Sequence, residues 1–155
     1  MSLIARSKLS QLVVIDVQER LAGVMPSDEM QMVIKNCSIL LQAAKLLEVP
    51  VIMTEQYPKG LGATVPKLLA LLGSKRPVEK ITFSCTNESK FTSNLTLDRS
   101  QIVLAGMEAH ICVLQTLATF SEKSPSPITQ ARLPGNAEAI ELKYDGGKIV
   151  CRVKH

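Results

Sequence analysis

Short apolar runs alternate with amphipathic segments over the first three quarters of the chain. Runs rich in branched aliphatic residues cover residues 11–16, 49–54 and 101–106, and a weaker one covers residues 77–84. Such runs, bounded by polar or turn-forming residues, are typical of strands buried inside a parallel sheet. The pattern therefore predicts four strands.

Between these strands, apolar residues recur at spacings of three and four, which predicts helices. Ser27 and Asp28 offer the longest helix an N-cap, and the Pro- and Gly-containing residues 55–62 predict a loop. The helices and helical turns are predicted over residues 27–47, 65–72, 88–95 and 110–120. Strands alternating with helices predict an α/β fold with three α-β-α layers and a mainly parallel, doubly wound sheet.

The segment 121–155 has a different character, because it is polar and Pro-rich with little periodicity. A helical turn is predicted over residues 137–142, and a hairpin over 144–153 around Asp145-Gly146-Gly147. A doubly wound domain requires further strand–helix units here, so the C-terminal part is interpreted as atypical or incomplete. Residues 1–155 are interpreted as one domain.

Composition narrows the class of protein. The 18 basic and 14 acidic residues are scattered, and aromatics are only 3% of the chain, so the basic stripe and stacking aromatics of nucleic-acid readers are absent from the sequence. No apolar run is long enough to span a membrane, and the N-terminus lacks the apolar core of a signal peptide. We expect a cytoplasmic protein that binds neither nucleic acid nor membrane.

The four cysteines form no C-x-x-C pair, and only two histidines are present, so the sequence indicates no metal site. Cys37 lies at a core-facing helical position, Cys85 is interpreted as structural, and Cys151 lies in the atypical segment. Cys112 differs, because it opens the helix after the fourth strand, where the helix dipole lowers a thiol pKa and backbone N–H groups bind an oxyanion. Its alternative role is that of a small core residue.

A thiol nucleophile requires a base from elsewhere in the fold. His110 is two residues from Cys112, and such residues do not face each other on a helix; it is more simply a polar residue at a helix start. Asp16 ends the first strand and approaches from another element, although it could equally be a cap or a surface carboxylate. Lys80 would stabilise a thiolate by charge, or else be a solvated lysine.

Four segments resemble the isochorismatase-like cysteine hydrolases: VVIDVQ (13–18), VPVIMTEQYPKGLG (49–62), EKITFSC (79–85) and LAGMEAHICVLQT (104–116). Together they cover most of residues 11–120. The TEQYPKGLG segment is similar to the subgroup of isochorismatase domain-containing proteins. The resemblance implies a parallel sheet flanked by helices and a homo-oligomer that needs no cofactor.

The resemblance also implies a chemistry. A Cys–Asp–Lys triad would cleave a C–N bond of a small amide or carbamoyl substrate through a thioester intermediate. A non-proline cis peptide before the cysteine would aim an oxyanion-binding N–H. On this sequence the triad corresponds to Asp16, Lys80 and Cys112, the cis peptide to Met107 and Glu108, and the pocket walls to Gln18, Glu55, Tyr57 and Phe83.

Two departures from the family pattern affect the predicted chemistry. Metal-dependent members carry an Asp/His cluster after the second strand, whereas this chain has Glu55, Gln56 and Tyr57 there, so a metal-independent hydrolase is expected. The strands and helices that usually follow the catalytic helix are not recognisable in residues 121–155. A catalytically silent scaffold with this fold is therefore the main alternative. A vinyl-ether hydrolase of the isochorismate type is disfavoured, because it needs no thiol.

Overall fold

The computed structural model describes residues 5–123, 128–132, 139–145 and 148–154. Within these ranges no helix has both the length and the apolar character needed to cross a bilayer.

A four-stranded parallel sheet forms the centre of the described structure. Its strands are β1 (Ser10–Ile15), β2 (Val51–Gln56), β3 (Val78–Lys80) and β4 (Gln101–Gly106), in the order β3-β2-β1-β4. The four predicted strands are confirmed. However, β2 runs two residues further than predicted, because its last residues, Glu55 and Gln56, pair with Glu79 and Lys80 of the short β3.

The helices follow the predicted order, with two additions. They are α1 (Glu19–Val24), α2 (Ser27–Leu46), α3 (Pro58–Leu61), α4 (Pro66–Leu72), α5 (Ser89–Ser93) and α6 (Leu114–Lys123). Neither α1 nor α3 is predicted, and α3 lies within the segment predicted as a loop. A 3-10 turn covers Cys85–Asn87, and a π-helical turn covers Ala109–Val113. The predicted capping of α2 is wrong, since Pro26 holds the cap position.

Two apolar clusters on opposite faces of the sheet make the fold three-layered. Successive residues of β1 point to opposite faces, so Leu12 and Val14 pack with Cys37 of α2 while Val13 and Ile15 pack with Phe91 of α5. Cys37 is buried in the core as predicted. The predicted α-β-α architecture is confirmed.

The strand order creates a crevice. The chain passes from β1 through β2 to β3 on one side, and then returns to place β4 on the other side of β1. In such sheets, ligands bind where the order reverses, outside the carboxyl ends of the strands. Here that point lies between the end of β1 and the end of β4, where Ile15 pairs with Gly106.

The C-terminal segment contains a three-stranded antiparallel sheet of β5 (Ile128–Arg132), β6 (Ala139–Asp145) and β7 (Lys148–Lys154). The predicted hairpin is confirmed, since Asp145 pairs with Lys148; Gly146 and Gly147 lie outside the described residues. The predicted helical turn is wrong over 139–142, which lie in β6, because the sequence AIELKYD alternates apolar and polar residues with the period of a strand. Residues 137 and 138 lie outside the described residues.

Candidate active site

Asp16 directly follows β1 and is completely buried. Its backbone has a positive φ of 52°, a conformation that few side chains other than Asp and Asn adopt. Its Oδ1 atom accepts a hydrogen bond of 2.7 Å from the hydroxyl of Thr54 on β2. The carboxylate is therefore held at the crevice, with one oxygen already bonded.

Lys80 is the last residue of β3, and its side chain is also fully buried. Its Nζ atom lies 2.6 Å from Asp16 Oδ2 and donates to Gln56 Oε1 at 2.6 Å. The main-chain oxygens of Thr82 and Phe83 are further acceptors, each at 3.2 Å. An ammonium group has three protons, so the four acceptors exceed its hydrogen-bonding capacity and two of them share one proton. Lys80 is thus a fixed cation beside Asp16.

Cys112 lies in the π-helical turn that joins β4 to α6, and its side chain is buried. The thiol lies close enough to Asp16 and Lys80 for both to shift its pKa. Burial raises the pKa of the Cys112 thiol to about 12, the Asp16 carboxylate adds to this increase, and Lys80 opposes it. This raised pKa is opposite in direction to the expected lowering by the helix N-terminus, and its largest causes are burial and the Asp16 carboxylate.

The backbone before Cys112 makes a tight junction with β1. The peptide bond between Met107 and Glu108 is cis, at the position that the family resemblance indicates. Met107 N donates to Ile15 O at 2.8 Å. Gly106 has a φ of +131°, and a Cβ atom there would collide with the main chain of Ile15. The junction therefore requires glycine and brings the turn that carries Cys112 against the end of β1.

Two of the predicted pocket residues support the loop after β2. Gln18 is fully buried, and its Nε2 donates to Gln56 O at 3.0 Å and Gly62 O at 2.6 Å. Glu55 is buried as well, and its Oε1 accepts 2.7 Å bonds from both the N–H and the hydroxyl of Thr64. Because these polar atoms bind the loop, both residues are better described as loop-holding than as pocket walls.

The other two predicted pocket residues are half exposed at the same edge of the sheet: Tyr57 is 54% exposed and Phe83 is 52% exposed. Both are joined to Lys80, since Tyr57 N donates to Lys80 O at 2.8 Å and Phe83 O accepts from its Nζ. Both side chains are thus partly exposed near the buried ion pair, and their role as pocket walls stays a prediction. His110 is 74% exposed and lies 3.5 Å from Glu108, not with the buried groups.

Three residues of this network are absent from the sequence-based prediction: Thr54, Gln56 and, behind Thr54, Cys85. Thr54 and Gln56 are two apart on β2 and therefore share one face of the sheet. Thr54 holds Asp16 and Gln56 holds Lys80. The strand period would have revealed the pair once β2 was extended to Gln56. Among the described residues, no three His, Cys, Asp or Glu side chains are arranged to hold a metal ion.

Known proteins are similar to this chain in sequence and in structure. The chain is 38% identical over 118 residues to isochorismatase domain-containing protein 2 of Danio rerio, which covers 76% of this chain and 58% of that protein. The structure of MAR1 ribonuclease from Caenorhabditis elegans superimposes with a TM-score of 0.67 at 38% identity, covering 77% of this chain and 60% of that one.

A more distant similarity supports the fold alone. The YcaC protein of Escherichia coli, described as an octameric hydrolase of unknown specificity, superimposes with a TM-score of 0.68 at 19% identity and covers 79% of this chain and 62% of that one. The chain therefore spans about three fifths of the length of these relatives. The family model of the isochorismatase domain matches residues 10–122. The chain belongs to the isochorismatase family.

Proposed function

We propose that this chain is a metal-independent cysteine hydrolase that cleaves a C–N bond of a small amide or carbamoyl substrate through a thioester. The observation that carries the proposal is the buried thiol of Cys112 beside the carboxylate of Asp16, which raises the pKa of the thiol and is itself paired with Lys80. A buried base touching a buried thiol is the arrangement that nucleophilic catalysis requires.

In the first half-reaction, Asp16 takes the thiol proton as the sulfur of Cys112 attacks the carbonyl carbon. The N–H groups around Glu108 and Cys112 bind the oxyanion that forms. When the C–N bond breaks, Asp16 returns the proton to the leaving nitrogen, and ammonia or an amine departs. Because burial and Asp16 raise the pKa of the thiol, we place the proton transfer in the same step as the attack.

In the second half-reaction, water attacks the thioester carbon and gives its proton to Asp16. The C–S bond breaks, the sulfur regains a proton, and the acid is released. Lys80 remains a fixed positive charge throughout, since its protons are already bonded to Asp16, Gln56 and two carbonyl oxygens. It lowers the energy of every state in which the site carries an extra negative charge.

The test is a mass-spectrometric screen of small amides, carbamoyl compounds and hydroxamates with the wild-type chain and Cys112→Ala. We expect turnover of at least one amide, a reduction of at least about 1,000-fold in Cys112→Ala, and a covalent acyl adduct on the Cys112 peptide at short times. Because one structural relative is described as a ribonuclease, an RNA oligonucleotide belongs in the same screen.

Equal turnover in the wild type and Cys112→Ala would contradict the proposal. Absence of both turnover and an acyl adduct would favour the alternative, a catalytically silent scaffold. Adduct-free hydrolysis of a vinyl ether would favour the isochorismate-type reaction.

We further propose that residues 1–155 form one domain of a cytoplasmic homo-oligomer. The free thiols of Cys37, Cys85 and Cys112 support a reducing compartment. The homo-oligomer is what the family resemblance implies, and the YcaC protein is itself described as octameric. Light scattering during size-exclusion chromatography tests the oligomer: a monomeric mass at micromolar concentration would contradict it.

A further inference from the structure

We propose that Thr54, oriented by Cys85, is a positioning residue that reserves the Oδ2 atom of Asp16 for the proton of Cys112. The inference rests on the proposed function, in which Asp16 is the base for Cys112, and adds which oxygen acts and what selects it.

Thr54 is joined to Asp16 at two points. Its hydroxyl donates to Asp16 Oδ1 at 2.7 Å, and its main-chain oxygen accepts from Asp16 N at 3.2 Å. Both side chains are completely buried, so water cannot replace either bond. The rotation of the carboxylate about its own axis is therefore set by β2.

Cys85, on the other side of the Thr54 hydroxyl, fixes the direction in which that hydroxyl donates. A threonine hydroxyl has one proton to donate and accepts through its lone pairs. Cys85 Sγ lies 3.9 Å from Thr54 Oγ1 as a donor, and burial raises the pKa of the Cys85 thiol, so its proton stays on sulfur. Cys85 is itself held, because its N–H donates to Thr116 Oγ1 at 3.0 Å. The proton of Thr54 therefore points to Asp16.

The two carboxylate oxygens consequently differ. Oδ1 already accepts the Thr54 proton, so only its second lone pair remains for another donor. Oδ2 is buried and, among the described residues, has no hydrogen-bond partner beyond its 2.6 Å ion pair with Lys80. Cys112 contacts this same carboxylate. We therefore assign the thiol proton to Oδ2, whose one partner among the described residues is the Lys80 ammonium.

The first experiment compares Thr54→Val, which removes the hydroxyl at nearly constant volume, with Thr54→Ser, which keeps it. The substrate is the amide that the wild type hydrolyses fastest. We expect kcat to fall about tenfold in Thr54→Val with KM within about twofold, and Thr54→Ser to stay within about threefold of the wild type. Cys85→Ala should lower kcat about threefold, and Cys85→Ser should restore it, because only the latter keeps a donor behind Thr54.

The second experiment needs no substrate. Iodoacetamide labelling of Cys112 is followed by peptide mapping at about pH 8.5, where the rate reports the small thiolate fraction. In Thr54→Val the carboxylate loses its hydroxyl partner and holds the thiol proton more tightly, so labelling should slow about threefold. If the substitution only destabilised the fold, Cys112 should be labelled faster than in the wild type, at a rate closer to that of the urea-unfolded chain. Ser38→Ala, which removes a buried hydroxyl bonded to Ile34 O, should leave both readouts unchanged.

The Asp16→Asn variant separates this inference from the proposed function. It should abolish turnover and speed up labelling, because Asp16 is one of the groups that raise the thiol pKa. Suppose that Asp16→Asn loses turnover and is labelled faster, as expected. If Thr54→Val then matches the wild type in both readouts, or is labelled faster than the wild type, the role of Thr54 is overturned and the proposed function stands. If Asp16→Asn retains wild-type turnover, the proposed function fails with it.

Discussion

The two edges of the parallel sheet both contain buried or half-buried polar side chains, yet they use them differently. At the amino edge, Gln11 bonds to the main-chain oxygens of Thr96 and Arg99 at 3.2 and 2.9 Å, and the Arg99 guanidinium donates to the carbonyls of Ser7 and Ser10. At the carboxyl edge, Asp16, Lys80, Thr54 and Gln56 bond chiefly to one another.

The difference separates two purposes of buried polarity. A side chain that binds main-chain groups fastens a loop and satisfies donors that would otherwise be costly to bury. Charged side chains that bind each other beside a thiol form the arrangement for which we propose catalysis. Polar burial alone therefore does not identify an active site in this fold; the identity of the partners does.

The largest expected effect is on the charged pair. Lys80→Met leaves the carboxylate of Asp16 buried without its cation, which we expect to cost about 3–5 kcal/mol of unfolding free energy. The amino-edge counterpart, Arg99→Met, should cost about 1–2 kcal/mol, because it is partly exposed and its lost carbonyl partners can find water. Urea unfolding at neutral pH measures both. A larger loss of unfolding free energy in Arg99→Met than in Lys80→Met would contradict the proposed difference between the two edges.

Gly106 provides the next test. In Gly106→Ala the new methyl group meets the main chain of Ile15 at a φ of +131°, so we expect a loss of about 3 kcal/mol and of most activity. Gly73→Ala is the matched control, since its φ is +73° but nothing lies within 4 Å of the added atom. It should lose about 1 kcal/mol, again by urea unfolding. Equal losses would mean that close packing at the β1–β4 junction is unimportant.

Two buried glutamines, one at each edge of the sheet, test whether the loss of stability and the loss of activity can be separated. Gln11→Met and Gln18→Met each remove bonds to main-chain groups at opposite edges, so both should lose about 2 kcal/mol of stability. Only Gln18→Met should also lower turnover, by about tenfold, because Gln18 holds the strand end next to Lys80. Thermal unfolding and amide turnover give the two readouts. A similar activity loss in Gln11→Met would show that stability alone governs turnover.

The smallest effect is on the pH dependence of stability. Burial raises the pKa of Cys37 from 9.0 to about 11. Below pH 9.0 the thiol is neutral in both states and contributes no slope. Between the two pKa values the unfolded chain loses the proton and the folded chain keeps it, so stability falls as pH rises, by at most about 1.4 kcal/mol per pH unit.

Cys37→Ala should therefore flatten the decline of stability above pH 9.0, although it lowers stability at neutral pH by leaving a small cavity. Urea unfolding at a series of pH values measures the slope. An unchanged slope would mean that this thiol ionises alike in the folded and unfolded chain.

Much of the fold follows from sequence patterns, because aliphatic runs and three-four spacing report directly on burial. The carboxyl ends of β1 and β4 were predictable, for the same reason, as the edge where Asp16 and Cys112 lie. What the patterns cannot report is which partner a polar side chain meets. Gln18 and Glu55 bind the loop, and Thr54 binds Asp16, through contacts between segments far apart in sequence.

The pKa of the Cys112 thiol is a second property that the sequence pattern cannot report. Its place at a helix start is visible in the sequence, whereas its desolvation and its contact with Asp16 are not, and these set the direction of its pKa shift. In the C-terminal segment, the alternation of apolar and polar residues in β6 was a readable strand signal that predicts the observed pairing better than a helical turn does.

The positive φ of Asp16 has a consequence for how this position can vary. A left-handed backbone disfavours most side chains by about 1–2 kcal/mol but tolerates Asp and Asn, so conformation and chemistry select the same residue. Asp16→Asn is therefore a clean probe of charge, whereas Asp16→Ala also changes what the main chain prefers. In a directed-evolution experiment, we therefore expect few substitutions at position 16, even when the variants are selected only for folding.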